Sequence, residues 1–419
     1  MSSPAGTLII GASQAGLQVA VSLRGAGDAS PITLVGDEPH APYQRPPLSK
    51  AYLQGGAELE HLWLRTPEVL AGLGVTLVTG ERVESVALTA GGPSGTARTA
   101  CGRVLAFDRL ALTVGARPRR LSVPGASRDG VMYLRTADDA KALRELQSDA
   151  ESVVVIGGGF IGLEAAAVAR TQGSTVTVIE ASDRLIGRAV APVVSEFYRA
   201  AHTRRGVDVR LGTQVVSLGG RNGRVDTVAL SDGTLIPADV VIVGIGVEPC
   251  IELARQLDLE SAGGIVVDQY ARTSNPNVVA AGDCTVQPNP LSGLGRVRLE
   301  SVQNAVSQAK AAAATLVGRR EPNDAVPWFW SDQYDLKLQI AGLAGGHDRC
   351  VVRGDVDGET FSVLYYRDGA LLAADAVNAP GDYMAVRKAL AQGATISAEA
   401  AANQAVALKE LIVPQAIGA

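Results

Sequence analysis

The run Val153-Val154-Val155-Ile156-Gly157-Gly158-Gly159-Phe160-Ile161-Gly162-Leu163-Glu164 leaves few folds open. Its first four residues are apolar and β-branched, which suits a strand covered on both faces, as in a parallel sheet. Glycine then ends the run abruptly. The spacing of Gly157, Gly159 and Gly162 is G-x-G-x-x-G. The first glycine makes a tight turn, the second lets a pyrophosphate approach the backbone, and the third lets the following helix lie close to the strand. A second apolar strand, Thr175 to Ile179, ends in Glu180. A carboxylate there accepts hydrogen bonds from an adenosine ribose and repels a 2′-phosphate. Strand, glycines, helix, strand and acid in this order specify a nucleotide-binding unit and not merely a glycine-rich turn.

The N-terminus carries a weaker copy. Thr7-Leu-Ile-Ile-Gly11-Ala12-Ser13-Gln14-Ala15-Gly16 leads into a helix, Leu17–Gly25, then a strand, Ile32–Val35, then Gly36-Asp37-Glu38. Residues Gly11 to Gly16 are the expected phosphate cradle and Asp37 the candidate acid. Ser13 replaces the second glycine, which gives up some backbone approach but supplies a hydroxyl able to donate to a phosphate oxygen. Two such units imply two bound dinucleotides, and the natural chemistry between two such cofactors is hydride transfer.

A further echo sets the expected boundaries. Arg109 to Pro118, with Thr113 and Gly115, resembles Asp239 to Pro249, with Gly244 and Gly246. Each is a buried strand leaving through glycine and then proline. We therefore expect a glutathione-reductase-like α/β fold. One Rossmann-like domain (residues 115–245) is inserted in another (1–114 and 246–322), and an α+β domain (323–419) follows. The third domain is announced by Pro327-Trp-Phe-Trp330-Ser-Asp-Gln-Tyr334, which holds two of the three tryptophans. Beyond it, runs at Leu336–Ala341, Cys350–Arg353, Phe361–Tyr366 and Leu371–Val377, separated by Gly and Asp-Gly turns, predict an antiparallel sheet. Helices are expected at Asp382–Leu390 and near 399–411, and a loose hairpin over 89–102.

Composition removes other classes. At 419 residues, 47% hydrophobic and 19% charged, the chain is that of a well-buried globular protein. A net charge of −5 gives no global reason to expect nucleic acid or an anionic membrane. No apolar run is long enough to span a bilayer and nothing resembles a signal peptide, so a cytoplasmic protein is expected. Cys101, Cys250, Cys284 and Cys350 show neither CxxC nor zinc-ligand spacing, and no metal site is expected. His40, His61, His202 and His347 stand in no catalytic arrangement and read as structural or exposed.

Finer motifs narrow the reading. Tyr43-Gln-Arg45-Pro46-Pro-Leu-Ser-Lys50, Leu62-Trp-Leu-Arg65, Val279-Ala-Ala-Gly282-Asp283, Glu300-Ser301-Val302-Gln-Asn304 and the Pro327–Tyr334 motif resemble the FAD-dependent NADH:ferredoxin reductases that serve oxygenases. Both the putidaredoxin reductase type and those of aromatic-ring dioxygenases are similar, over essentially the whole chain. The resemblance implies FAD in the outer domain, NADH in the inserted one and a small [2Fe-2S] ferredoxin as electron acceptor. For FAD it implies the Gly11–Gly16 cradle, Asp37, Arg45, Pro46, Lys50, Val83, Thr113, Gly115, Arg119, Gly282, Asp283, and the helix start at Ser301 and Val302, whose N–H groups stabilise negative charge on the reduced ring. Trp330 is a candidate wall of the flavin or a core residue. For NADH it implies Gly157, Gly159, Phe160, Ile161, Gly162, Glu180, Gly244 and Gly246, with Arg188 either a ligand or a solvated side chain.

Two residues carry the expected chemistry. The doubly proline-fixed segment before Lys50 is a stiff platform. In this family such a lysine lies at flavin N5 and pairs with a glutamate, here Glu164, which shares a helix face with Phe160 four residues earlier. A pair at 4 Å is worth about 4 kcal/mol at an effective dielectric near 20, enough to hold Lys50 protonated. Lys310 and Arg65 are candidates for a local basic rim that steers an acidic ferredoxin. Alternatives sharing the outline are a flavin disulfide reductase, a cysteine-based or cysteine-independent NADH oxidase, and an apoptosis-inducing-factor-like redox protein. The first two of the cysteine-dependent kind need a thiol beside the flavin, and no cysteine lies between Cys101 and Cys250.

Overall fold

A computed structural model of the chain describes residues 5–289, 291 and 295–414. It divides into two units. The first comprises residues 1–44, 59–117 and 248–327, and the second 45–58, 118–247 and 328–419.

The first unit is built on a parallel sheet with strand order Val278–Ala280, Arg109–Leu112, Thr7–Ile10, Ile32–Val35, Val75–Val78. Leu8, Ile9, Leu34, Leu110 and Ala111 are at most 1% exposed, so the sheet is covered on both faces. Helices Gln14–Gly25 and Val302–Leu316 pack on one side, where alanines at 309 and 311–313 permit close approach. The expected loose hairpin over 89–102 is instead part of a three-stranded sheet, Val83–Leu88, Gly95–Thr99 and Val104–Phe107. Phe107, 1% exposed, anchors it, and a Cβ at Gly95 would stand 2.7 Å from that ring. The flanking polar residues hid this extra strand.

The second unit repeats the parallel design: Val207–Arg210, Thr175–Ile179, Ser152–Ile156, Val240–Val243, Val131–Tyr133. It also holds a five-stranded antiparallel sheet in the order Trp328–Gln333, Leu336–Gly342, Ala370–Val377, Thr360–Arg367, Arg349–Asp355. The helix Pro380–Ala391 covers this sheet. The helix expected near 399–411 is broken into Ala398–Ala402 and a 3-10 turn, Leu408–Glu410. The cause is Arg353, 8% exposed, whose guanidinium donates to the carbonyls of Ala401, Asn403 and Val406. A continuous helix would have used those carbonyls itself.

Residues 45–58, contiguous in sequence with the first sheet, pack in the second unit. Arg144 lies over the Tyr52 ring at 5.0 Å, Gln172 Nε2 donates to the Leu53 carbonyl at 3.4 Å, and Ser49 and Lys50 both reach Glu164. Among the described residues, no helix is long and apolar enough to cross a membrane, and no group of His, Cys, Asp and Glu could hold a metal ion.

Candidate functional site

The glycines of the opening motif have separable reasons. Gly157 has φ +109°, and a Cβ there would stand 2.4 Å from the Gly244 carbonyl oxygen. A Cβ at Gly158 would meet the Leu185 side chain at 2.4 Å, and one at Gly162 the Gly157 carbonyl at 2.3 Å. The fold itself therefore requires Gly157 and Gly162, where the obstacle is backbone, and crowds Gly158 against a buried leucine. Gly159 is different: nothing lies within 4 Å of its would-be Cβ. It is the N-cap of the helix Phe160–Thr171, with no side-chain cap. The first N–H groups of that helix are thus served by no capping side chain, at the place where a pyrophosphate approaches. The residues present fit a dinucleotide.

The same test in the first unit gives the same answer. A Cβ at Gly11 would stand 2.2 Å from the Thr113 carbonyl, and one at Gly16 2.0 Å from the Gly11 carbonyl. Ser13 is the N-cap of Gln14–Gly25, yet its hydroxyl does not cap the helix. Thr113 Oγ1, 3.0 Å from both the Ile10 and Gly11 carbonyls, pins the loop from behind. Gln14 and half-exposed Ala12 complete the turn, while Ala15 is buried beneath it.

The acids after the second strands are held differently. Glu180 accepts from the Gly158 N–H at 2.7 Å and the Ser182 N–H at 2.8 Å, so it shapes the phosphate loop while facing it. In the first unit Gly36 occupies the equivalent place, because Ala12 fills the space; their Cβ atoms would be 2.6 Å apart. The acid is displaced outward. Asp37 is exposed, whereas Glu38 accepts from the Tyr43 hydroxyl at 2.5 Å.

The other expected residues are divided between the two units. In the first, Val83 is 8% exposed and packs in the core, and Gly115 takes φ +66°. Gly282, at φ +87°, donates its N–H to Gln308 Oε1 at 2.8 Å. Gln308, Gln287 and Asn304 form a buried amide cluster that ties the Gly282-Asp283 turn to the helix begun by Ser301 and Val302. The Ser301 hydroxyl accepts from the Asn304 N–H at 3.1 Å. The cluster escaped the sequence reading because no spacing signal links Gln287 to Asn304 and Gln308, which share a face of the helix Val302–Leu316.

In the second unit, Arg119 bonds the Gly246 carbonyl through its N–H at 2.9 Å, and a Cβ at Gly246 would lie 3.6 Å from Arg188 Nη2. Arg119, expected on FAD, thus stands beside Arg188 and Gly246. Arg45 Nη1 donates to the Arg135 carbonyl at 2.7 Å, and Pro46 opens a 3-10 turn, Pro46–Ser49. Ile161 is 42% exposed at the helix start. Trp330 is half-buried, 5.5 Å from Trp328, and lines with it a concavity of about 410 Å³.

At the centre of this unit Lys50 Nζ lies 2.7 Å from Glu164 Oε2. Lys50 is 19% exposed and Glu164 only 4%. A carboxylate buried this far needs donors on both oxygens. It has them: Ser49 Oγ donates to Oε2 at 2.6 Å and Ser331 Oγ to Oε1 at 2.6 Å. One turn back, the Phe160 ring rests on Phe329 at 4.6 Å between centroids. Neither Ser49 nor Ser331 was singled out from sequence.

None of the four cysteines is joined in a disulfide. Cys284, next to Asp283, is fully buried, and burial pushes its thiol up to about 12, leaving no thiolate at neutral pH.

Residues 6–309 match the family model for pyridine nucleotide-disulphide oxidoreductases. The chain belongs to that family. Residues 328–412 also match the reductase C-terminal model. The reductase is 48% identical over 412 residues to rhodocoxin reductase of Rhodococcus erythropolis, covering 96% of this chain and 93% of that one. It is 40% identical over 410 residues to putidaredoxin reductase of Pseudomonas putida, covering 97% and 96%. Among solved structures, that of the covalent putidaredoxin reductase–putidaredoxin complex superposes with a TM-score of 0.92 at 39% identity, covering 97% of each chain. Family and relatives make this reductase an FAD- and NAD(H)-dependent oxidoreductase of the ferredoxin reductase type, with a glutathione-reductase-like fold.

Proposed function

We propose that the reductase takes electrons from NADH through FAD and delivers them to a small [2Fe-2S] ferredoxin serving a monooxygenase or dioxygenase in the cytoplasm. When bound, FAD would supply the conversion of a two-electron hydride from NADH into two single electrons for the acceptor, the proton being released. The chain's residues bind, orient and polarise. Gly11 to Gly16, Asp37 or its neighbour Glu38, and the Gly282-Asp283 turn hold FAD. Gly159, the helix start at Phe160 and Ile161, and Glu180 hold NADH, with Arg119 and Arg188 beside Gly246 available to its phosphate or ribose. Lys50, fixed by Glu164, presents a positive charge that favours the negatively charged reduced ring. The helix start at Ser301 and Val302 directs its dipole to negative charge at the pyrimidine end of the reduced ring. Exposed Lys310 and Arg65 offer positive charge to an acidic partner.

The observation that carries this reading is the pair of helix starts, one per unit, that lack a side-chain cap, with open space beside Gly159 in the second. No general acid or base is required, since the hydride moves directly and the protein supplies position and field. Relatives named for rhodocoxin, putidaredoxin and a cumate dioxygenase system support the acceptor class. The purified protein should show a flavin spectrum that NADH bleaches anaerobically, and should reduce cytochrome c with NADH only when a [2Fe-2S] ferredoxin is added. A colourless protein, or full cytochrome reduction without ferredoxin, overturns the proposal.

A further inference from the structure

The polar groups behind Glu164 do not stop at Ser331. Gln333 Nε2 lies 3.2 Å from Ser331 Oγ, and His202 Nε2 lies 2.8 Å from Gln333 Oε1. Ser331, Gln333 and His202 are each 0% exposed. Proton counting fixes the direction of every bond. A carboxylate only accepts, so Ser331 spends its single proton on Glu164. Its oxygen must then accept from the Gln333 amide nitrogen. That turns the amide oxygen toward His202, which must donate from Nε2. His202 Nδ1 is buried with no hydrogen-bond partner, so a proton there would be unsatisfied. Burial pushes the imidazole's pKa down and Arg205 adds to this, against the hydrogen bond to Gln333. The Tyr334 ring, 5.2 Å away between centroids, closes the imidazole's other side.

We propose that His202, Gln333 and Ser331 are positioning residues: a one-way chain of donors that fixes the Glu164 carboxylate, and through it the Lys50 ammonium, with His202 held as the neutral Nε2–H tautomer. The chain is anchored at one end in the helix Pro192–Arg204 and passes through the strand Trp328–Gln333 to the helix Phe160–Thr171. All its members lie in one unit. Its effect on electron transfer rests on the assignment of Lys50 to the flavin; its proton arrangement does not.

Two measurements on the holoenzyme test it. Long-range proton–nitrogen NMR of ¹⁵N-histidine-labelled protein, with the His202 signal assigned by its loss in His202→Gln, should show a neutral ring protonated at Nε2 at neutral pH. An Nδ1–H tautomer or an imidazolium overturns the proposal. In stopped-flow reduction by NADH, Ser331→Ala should slow flavin reduction about tenfold, and Ser331→Thr, which keeps the hydroxyl, should recover most of the loss. In a Glu164→Gln background the same Ser331→Ala change should have less than a twofold effect, because its route is already cut. Equal effects in the two backgrounds would sink the positioning role. Normal flavin reduction in Lys50→Met would instead remove the flavin assignment and leave the NMR result standing.

Discussion

Lys50 and Glu164 are bound at 2.7 Å with the carboxylate nearly sealed from water, and the pair is held by three elements far apart in sequence, the 3-10 turn Pro46–Ser49, the helix Phe160–Thr171 and the strand Trp328–Gln333. Replacing either partner has unequal consequences. Lys50→Met leaves a buried carboxylate without its counter-charge, a change that typically costs about 3–5 kcal/mol. Glu164→Gln leaves a lysine that can still reach water and should cost less. Thermal melts of the two variants should rank in that order, and both should slow flavin reduction by NADH. Equal melting temperatures would contradict the burial argument.

The motif glycines give a second test. Gly162→Ala forces a methyl against a backbone carbonyl and should destabilise the fold by about 1–3 kcal/mol. Gly159→Ala meets nothing in the protein, so its melting temperature should stay within a degree or two of wild type. Its KM for NADH should rise at least tenfold. A stable Gly159→Ala variant with unchanged KM would remove the pyrophosphate from that place.

Glu180 predicts coenzyme choice. Glu180→Ala should weaken the preference for NADH over NADPH, measured as the ratio of kcat/KM values. Because the carboxylate also holds the Gly158 and Ser182 N–H groups, KM for NADH itself should rise. Unchanged selectivity would count against Glu180 as the ribose-side acid.

A pH effect on stability follows from Asp375. Burial pushes its carboxyl up to about 7, against the hydrogen bond donated by the Tyr365 hydroxyl. The folded form therefore keeps a proton that the unfolded chain, titrating near 4, has released. The stabilisation is fully present below about pH 4 and is lost as pH rises toward 7. Relative to Asp375→Asn, whose side chain does not titrate, wild type should lose melting temperature between pH 5 and pH 8. A constant difference would refute it.

Thiols should be dispensable. Alkylating the exposed Cys101 and Cys350, or replacing all four cysteines by Ser or Ala, should leave NADH-dependent ferredoxin reduction within twofold of wild type. Total loss on alkylation would revive a cysteine mechanism.

How much of this was legible depended on range. Val153–Ile156 and Thr7–Ile10 announce buried strands because β-branched runs ending in glycine have few other uses. Lys50 and Glu164 could be paired only through the family resemblance, since nothing in the spacing of residues so far apart brings them together. Ser331 and His202 were out of reach for the same reason: their bonds span 167 and 131 residues. One signal was available. Ser331 and Gln333 alternate with Trp330 and Asp332, so a strand through this stretch puts both polar side chains on one face. The outward displacement of the acid in Gly36-Asp37-Glu38 was not legible, because the crowding of Gly36 by Ala12 appears only when the two strands lie side by side.

The contacts of Phe160 with Phe329 and of Glu164 with Ser331 also have a metric consequence. Four residues of helix rise about 6.0 Å, and two residues of strand rise about 6.6 Å. The two repeats are commensurate over this one interval, so helix and strand mesh like a short rack. Deleting or inserting one residue in Trp328–Gln333 would bring a tryptophan or Asp332 opposite Glu164, with no intermediate setting. The spacing Phe-x-Ser opposite Phe-x-x-x-Glu is therefore a ruler, and length variation in this protein has to fall outside it.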